Sequence, residues 1–172
     1  NSIAAGFFVT DAMLKAAEVE LLVSRSICSG KYLVIVGGEV AAVCSSVEIG
    51  RESWEAAVID TMIIPNVHSS VFPAIAGSNR PGNAGALGIL EAFSVASLIE
   101  GADTAVKAAR VELVEIRLAM ALGGKAFATL TGSVSAVQAA IDSGAAVIGA
   151  KGLLVNKVVI ASPDPQLYRE VL

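Results

Sequence analysis

The sequence is short of the residues that most chemistry uses. It has one histidine, His68, and two cysteines, Cys28 and Cys44, in 172 residues. Charged residues make up 16% of the chain and aromatic residues 5%, and the net charge is −4 with no basic run. Nucleic-acid binding needs clustered Lys and Arg, so no nucleic-acid partner is expected. Two cysteines do not make a disulfide framework, and a reducing cytosolic setting is expected. The uncharged stretch Ala126 to Ile141 carries Thr129, Thr131, Ser133, Ser135 and Gln138 and is broken by Gly132. Crossing a bilayer takes roughly 20 apolar residues, so no membrane span is expected. The opening NSIAAGFFV has no basic segment ahead of its apolar part and does not read as a signal peptide.

What the chain does have is apolar bulk, at 55% of its residues. That rules out a disordered chain, which needs low hydrophobicity and high net charge. The length allows one ordinary domain or two small ones. A monomer of this size can hardly hide so much apolar surface, so part of it is expected to meet other chains.

The chain also repeats itself. SIAAGFFVTDAMLKAAEVELLVSR (2–25) matches SVASLIEGADTAVKAARVELVEIR (94–117), with Asp11/Asp103, Lys15/Lys107 and Arg25/Arg117 among the identities. GKYLVIVGGEVAAV (30–43) matches GKAFATLTGSVSAV (124–137). The loop between the two matching blocks is two residues shorter in the first repeat. Cys28 lies in that shorter loop, and Met120 stands in its place in the second repeat.

Each repeat reads as helix, strand, strand, helix, strand. In the second, the apolar run ALGILEAF (86–93) adds a buried strand in front. Residues 94–109 then read as helix, 111–119 and 125–131 as strands, 133–148 as helix and 153–160 as strand. The order β-α-β-β-α-β is the ferredoxin-like pattern, an α/β (α+β) fold. Gly38 and Gly132 are expected to turn strand into helix. No segment matches ALGILEAF ahead of the first repeat, so an initial strand preceding Asn1 is expected, without which that sheet keeps an unpaired edge. The Gly-, Asn- and Pro-rich AGSNRPGNAG (76–85) reads as a linker. The expected organisation is a first domain over 1–76, a linker over 77–85 and a second domain over 86–172.

Few residues offer catalysis. His68, in IIPNVHSSVF, reads as a surface or interface residue after a strand, and no known motif flanks a Cys28–His68 pair. SGK (29–31) and GGK (123–125) resemble the end of a phosphate loop. The first glycine is replaced by Arg25 and Ala119, and the final Ser/Thr by Tyr32 and Ala126, so a nucleotide site is not expected. Glu18 and Glu20 read as solvated carboxylates at a helix–strand junction. Cys44, at helical spacing among Ala and Val, reads as a small core residue. Cys28 differs, because Ser29 and Gly30 place it in a loop where a thiol can face a partner. The residues alone leave open whether it is a ligand or a passive small side chain.

ALGILEAFSVASLIEGADTAVKAARVELVEIRLA (86–119) resembles the bacterial microcompartment shell domain. Ala86-Leu87-Gly88, Glu91, Ala102-Asp103, Lys107-Ala108-Ala109, Val111 and Leu113 fit its strand–helix signature in unpermuted order, and the first repeat fits from Ser2 through Ala17. The likeness covers nearly the whole chain. Two such domains in one chain resemble the tandem-domain class. SICSGK, NVHSSVFPAI and GLLVNKVVI resemble its propanediol-utilisation type, whose loop is I-C-P-G-K.

The resemblance implies a structural shell protein of a cytoplasmic bacterial microcompartment, not an enzyme. It implies a homotrimer shaped as a pseudohexamer, with Ile27, Cys28, Ser29 and Gly30 around a central pore. It implies one [4Fe-4S] cluster per trimer, with Cys28 as the single metal ligand from each subunit. Such a cluster would serve electron transfer across the shell, leaving one iron to another ligand because four is usual. A cluster-free pore for small metabolites is the alternative. Lys15 and Lys107 would lie at the tile edge, where a lysine stem can pack flat. Other shell proteins, and an encapsulated redox enzyme, are the implied partners. The sequence departs from the family at the edge arginine, with Asn66 and Ser162 in its place, and at the loop proline, replaced by Ser29.

Overall fold

The structure is a computed structural model and describes residues 1–80, 85–119 and 122–171. Met120 and residues 81–84 of the expected linker lie outside the described residues. The chain divides into two compact units, Asn1–Pro65 and Asn66–Leu172.

The second unit begins with a short helix, α3 (Val71–Ile75; the first two helices are described below). Then come β3 (Ala86–Ala92), α4 (Val95–Ala108), β4 (Val111–Arg117), β5 (Ala126–Gly132), α5 (Val134–Ala150), β6 (Leu154–Ile160) and α6 (Pro165–Val171). The strands form one sheet in the order β4-β5-β3-β6, and β3 pairs antiparallel with both β5 and β6. This is the ferredoxin-like arrangement expected from the element order. Period-3.6 apolar positions put Leu98, Ala102 and Ala105 of α4, and Val137, Ile141 and Ile148 of α5, in the core with Leu87, Leu90 and Leu130 of the sheet. Ser94 caps α4 by accepting from Ser97 N, and Ser133 caps α5 by accepting from Ala136 N.

Two glycines let α4 and α5 approach closely. A Cβ on Gly144 would lie 2.6 Å from the Gly101 carbonyl oxygen, and one on Gly101 would lie 2.6 Å from Ile148. Gly132 has no positive φ; a Cβ there would stand 3.3 Å from the Arg110 carbonyl oxygen, so its constraint is close packing. Gly38 does sit at φ 153°, as a turn into helix requires.

The first unit contains α1 (Ile3–Ala16), β1 (Glu20–Ile27), β2 (Lys31–Gly37) and α2 (Val40–Ser53), followed by a 3-10 turn at Glu55–Ala57. Ser2 caps α1 by accepting from Ala5 N, the counterpart of Ser94. The β1–β2 ladder skips a residue between Leu21 and Val23, and the β4–β5 ladder skips one between Leu113 and Glu115. These bulges fall at equivalent positions, so the sequence repeat is also a repeat of backbone irregularity.

One expected element differs. The closing strand of the first repeat is not formed: residues 58–64 are extended chain outside any sheet, and the sheet has two strands among the described residues. The reason is the partner. In the second unit β6 pairs with β3, and no strand equivalent to β3 occurs among the described residues of the first.

The two helix glycines of α5 give a paired test. Gly144→Ala should lower unfolding free energy by about 1–3 kcal/mol, because the new methyl meets backbone that cannot yield. Gly149→Ala, with nothing within 4 Å of its Cβ, should raise it by up to about 1 kcal/mol through helix propensity. Urea denaturation of the two variants measures both.

Candidate functional site: the Cys28 hairpin and the lysine-bearing helices

The ladder between β1 and β2 closes with Ile27 opposite Lys31, so Cys28, Ser29 and Gly30 form the turn. Cys28 is half-buried there and is not in a disulfide. Ser29 and Gly30 both lie in the left-handed region, at φ 65° and 70°. The second repeat has the same conformation at Gly123 and Gly124, at φ 61° and 85°, just before Lys125. Glycine takes this conformation without strain, whereas for serine the Cβ crowds the backbone. Proline, with φ locked near −65°, cannot take it at all. A proline at position 29 would therefore require a different turn.

A chain of hydroxyls holds the hairpin to α1. Thr10 donates to the Gly6 carbonyl at 2.7 Å, Thr10 and Ser24 hydroxyls are 3.4 Å apart, and Ser24 and Tyr32 hydroxyls are 2.9 Å apart. The Tyr32 ring covers Gly6, where a Cβ would stand 2.2 Å from it, and stacks obliquely on Phe7 at 5.0 Å. The turn is thus presented by a clamped hairpin. Among the described residues no three His, Cys, Asp or Glu side chains gather as metal donors. The thiol that the turn itself carries is that of Cys28.

Cys44 lies on α2 and is half-buried, so it is less enclosed than a core residue. Cys28 belongs to the first unit and His68 to the second. The His68 ring is engaged locally, with Nδ1 2.8 Å from the Ser70 hydroxyl. Glu18 and Glu20 are exposed, as expected.

The two lysines differ in setting. Lys15 pairs with Asp11 at 2.6 Å on an open surface. Lys107 pairs with Asp103 at 2.6 Å, and there the acid is buried. Asp103 also accepts the backbone N–H of His68 at 2.7 Å. One carboxylate thus fixes both the lysine and the stretch entering α3. Asn79 adds a second tie, donating to the carbonyls of Ser70 and Leu113. The Asp-x-x-x-Lys spacing places acid and base on one helix face, but which backbone N–H the acid would accept was not readable from it.

The comparisons fall on this same framework. The BMC domain family matches residues 1–67 and 86–163. The chain is 43% identical to "Bacterial microcompartment shell protein PduT" of Citrobacter freundii over 172 residues, which is 100% of this chain and 94% of that protein. It is 43% identical to "Bacterial microcompartment shell protein EutM" of Salmonella typhimurium over 82 residues, 48% of this chain and 83% of that protein. A crystal structure of a microcompartment protein from Desulfitobacterium hafniense DCB superposes with a TM-score of 0.89 at 50% identity, covering 98% of this chain and 94% of that one.

Two substitutions probe the site. Ser29→Gly should stabilise the fold by up to about 1 kcal/mol by removing left-handed strain, and Ser29→Pro should destabilise it. Asp103→Ala should cost about 2–4 kcal/mol, because it leaves a half-buried N–H and a lysine without their acceptor. Chemical denaturation with a circular-dichroism readout checks each.

Proposed function

The chain belongs to the BMC domain family, and from that premise we propose that it is a structural shell protein of a bacterial microcompartment, assembled as a homotrimer with a central pore. The observation that carries the reading is the double match: each half is a shell-type unit, and the full-length likeness is to a shell protein. EutM aligns with about half of this chain, so two units here correspond to two such chains. Three copies then supply six units, the content of a pseudohexameric tile. No helix among the described residues is long and apolar enough to cross a membrane. The role is structural rather than catalytic, with other shell proteins as neighbours and Lys15 and Lys107 on the helices toward the tile edge.

The pore is the finer part of the proposal. Ile27, Cys28, Ser29 and Gly30 rim it, and Cys28 is the residue that would hold a [4Fe-4S] cluster. A single thiol per chain fits that group only where a threefold axis gathers three. When bound, the cluster supplies one-electron transfer, which suits exchange with an encapsulated redox enzyme. The chain's own part is to hold the thiol on a clamped hairpin and to limit solvent around it. Without a cluster, the same rim is an opening for small metabolites.

Anaerobic reconstitution with iron and sulfide tests the pore. Wild-type protein should turn brown and hold about four irons per three chains. Cys28→Ser should remain trimeric by sedimentation and lose the colour and the EPR signal of the reduced cluster. Equal iron in both proteins would remove Cys28 as a ligand and leave the metabolite pore.

A further inference from the structure

The repeat offers a comparison within one chain: a surface that is covered in the second unit and bare in the first. On α4, Ile99, Asp103 and Val106 share one flank, and Leu113 and Val114 continue it on β4. All five are buried. The cover is the stretch 66–80. Its α3 packs on β4 and α4, His68 N–H donates to Asp103, and Asn79 donates to the Leu113 carbonyl. The equivalent residues of the first unit are Phe7, Asp11, Leu14, Leu21 and Leu22, and all five are exposed. Phe7 is 64% exposed where Ile99 is 2%, and the Asp11 side chain is 61% exposed where that of Asp103 is 6%. The flank lies on the β1 side. In the second unit the matching edge strand, β4, is separated from β3 by β5.

The stretch after β6 repeats the one that covers the second unit. Aligning the ends of the repeats places Asp164 at the position of His68, and the side-chain bond to the N–H two residues on is common to both. The His68 ring nitrogen accepts from Ser70 N, and the Asp164 carboxylate accepts from Gln166 N. The backbone bonds that follow differ by one residue: the His68 carbonyl accepts from Val71 N, three residues on, and the Asp164 carbonyl from Tyr168 N, four residues on. Both are side-chain-capped turns opening a short helix. Yet no bond from the Asp164 N–H to a carboxylate occurs within the chain among the described residues.

We propose that a second copy of this chain covers the α1–β1 flank, with its Asp164 backbone N–H donating to Asp11 as His68 N–H donates to Asp103. The inference rests on the self-assembly reading above and names its contact. Each copy offers the flank at one unit and the covering stretch at the other. The contact is therefore heterologous and either closes into a ring or runs on as a filament. Phe7, Leu14, Leu21 and Leu22 become its apolar centre, and Asp11 its one buried acceptor. Turning Asp164's own carboxylate to Gln166 N, as in the single chain, keeps the two acids from meeting head-on.

Paired cysteines test it. The Asp103 and His68 pair is close enough for a hydrogen bond, a separation at which cysteines at the equivalent positions can oxidise. Asp11→Cys with Asp164→Cys, oxidised in the full chain, should give bands of two and three chain masses on non-reducing denaturing gels. Neither single variant should do so, which controls for Cys28 and Cys44. Asp11→Ala in the otherwise unaltered chain should weaken association on the order of tenfold or more by sedimentation, with an unchanged circular-dichroism spectrum. A trimer by sedimentation that yields only single-chain bands overturns this contact and leaves the trimer standing. A monomer at all concentrations overturns both, and an Asp11→Ala variant that associates like wild type overturns the role of Asp11.

Discussion

A buried carboxylate organises the covered unit. Asp103 receives the His68 N–H and the Lys107 ammonium at once, so the helix, its basic end and the stretch laid across it are fixed by one group. Burying a charge is costly unless partners surround it, and here one partner comes from the helix itself and the other from chain that precedes the sheet. The same acid in the first unit, Asp11, keeps its lysine and lies open to solvent. That contrast between two copies of one motif underlies the reading of the chain as a piece of a larger assembly.

Apolar surface follows the same division. Among the described residues, most of the exposed large apolar side chains belong to the first unit, including Phe7, Phe8, Leu14, Leu21, Leu22, Trp54, Ile59 and Ile63. Single exposed apolar residues need no explanation, but a contiguous set on one flank marks a surface that meets something. The glycine contacts show how tightly the covered unit is built: Gly101 against Gly144, and Gly88 against Val137 and Ile141.

Much of this was legible in the residues. The duplicated Asp-x-x-x-Lys-Ala-Ala helix and the alternation of VELVEIR gave element type and order, because period and cap residues act locally. The bulges at Leu22 and Val114 were not legible, since no glycine marks them and ladder register is set by the partner strand. The order of the repeat gave the first unit a closing strand ahead of His68, but a strand needs a neighbour to bond. The loop of Cys28 was legible as a loop, while the left-handed φ of Ser29 became visible only beside Gly123 of the second repeat. The bond from His68 to Asp103 was hidden because it joins positions 35 apart through a backbone N–H, which carries no residue code.

The central claim is that three copies close around an axis on which the β1–β2 turns converge. A cryo-EM map of the assembled protein tests it most directly. The account predicts threefold symmetry with the three Cys28 sulfurs facing one another across the axis. A map with no threefold axis, or with the Cys28 turns directed to the rim of the disc, would contradict it.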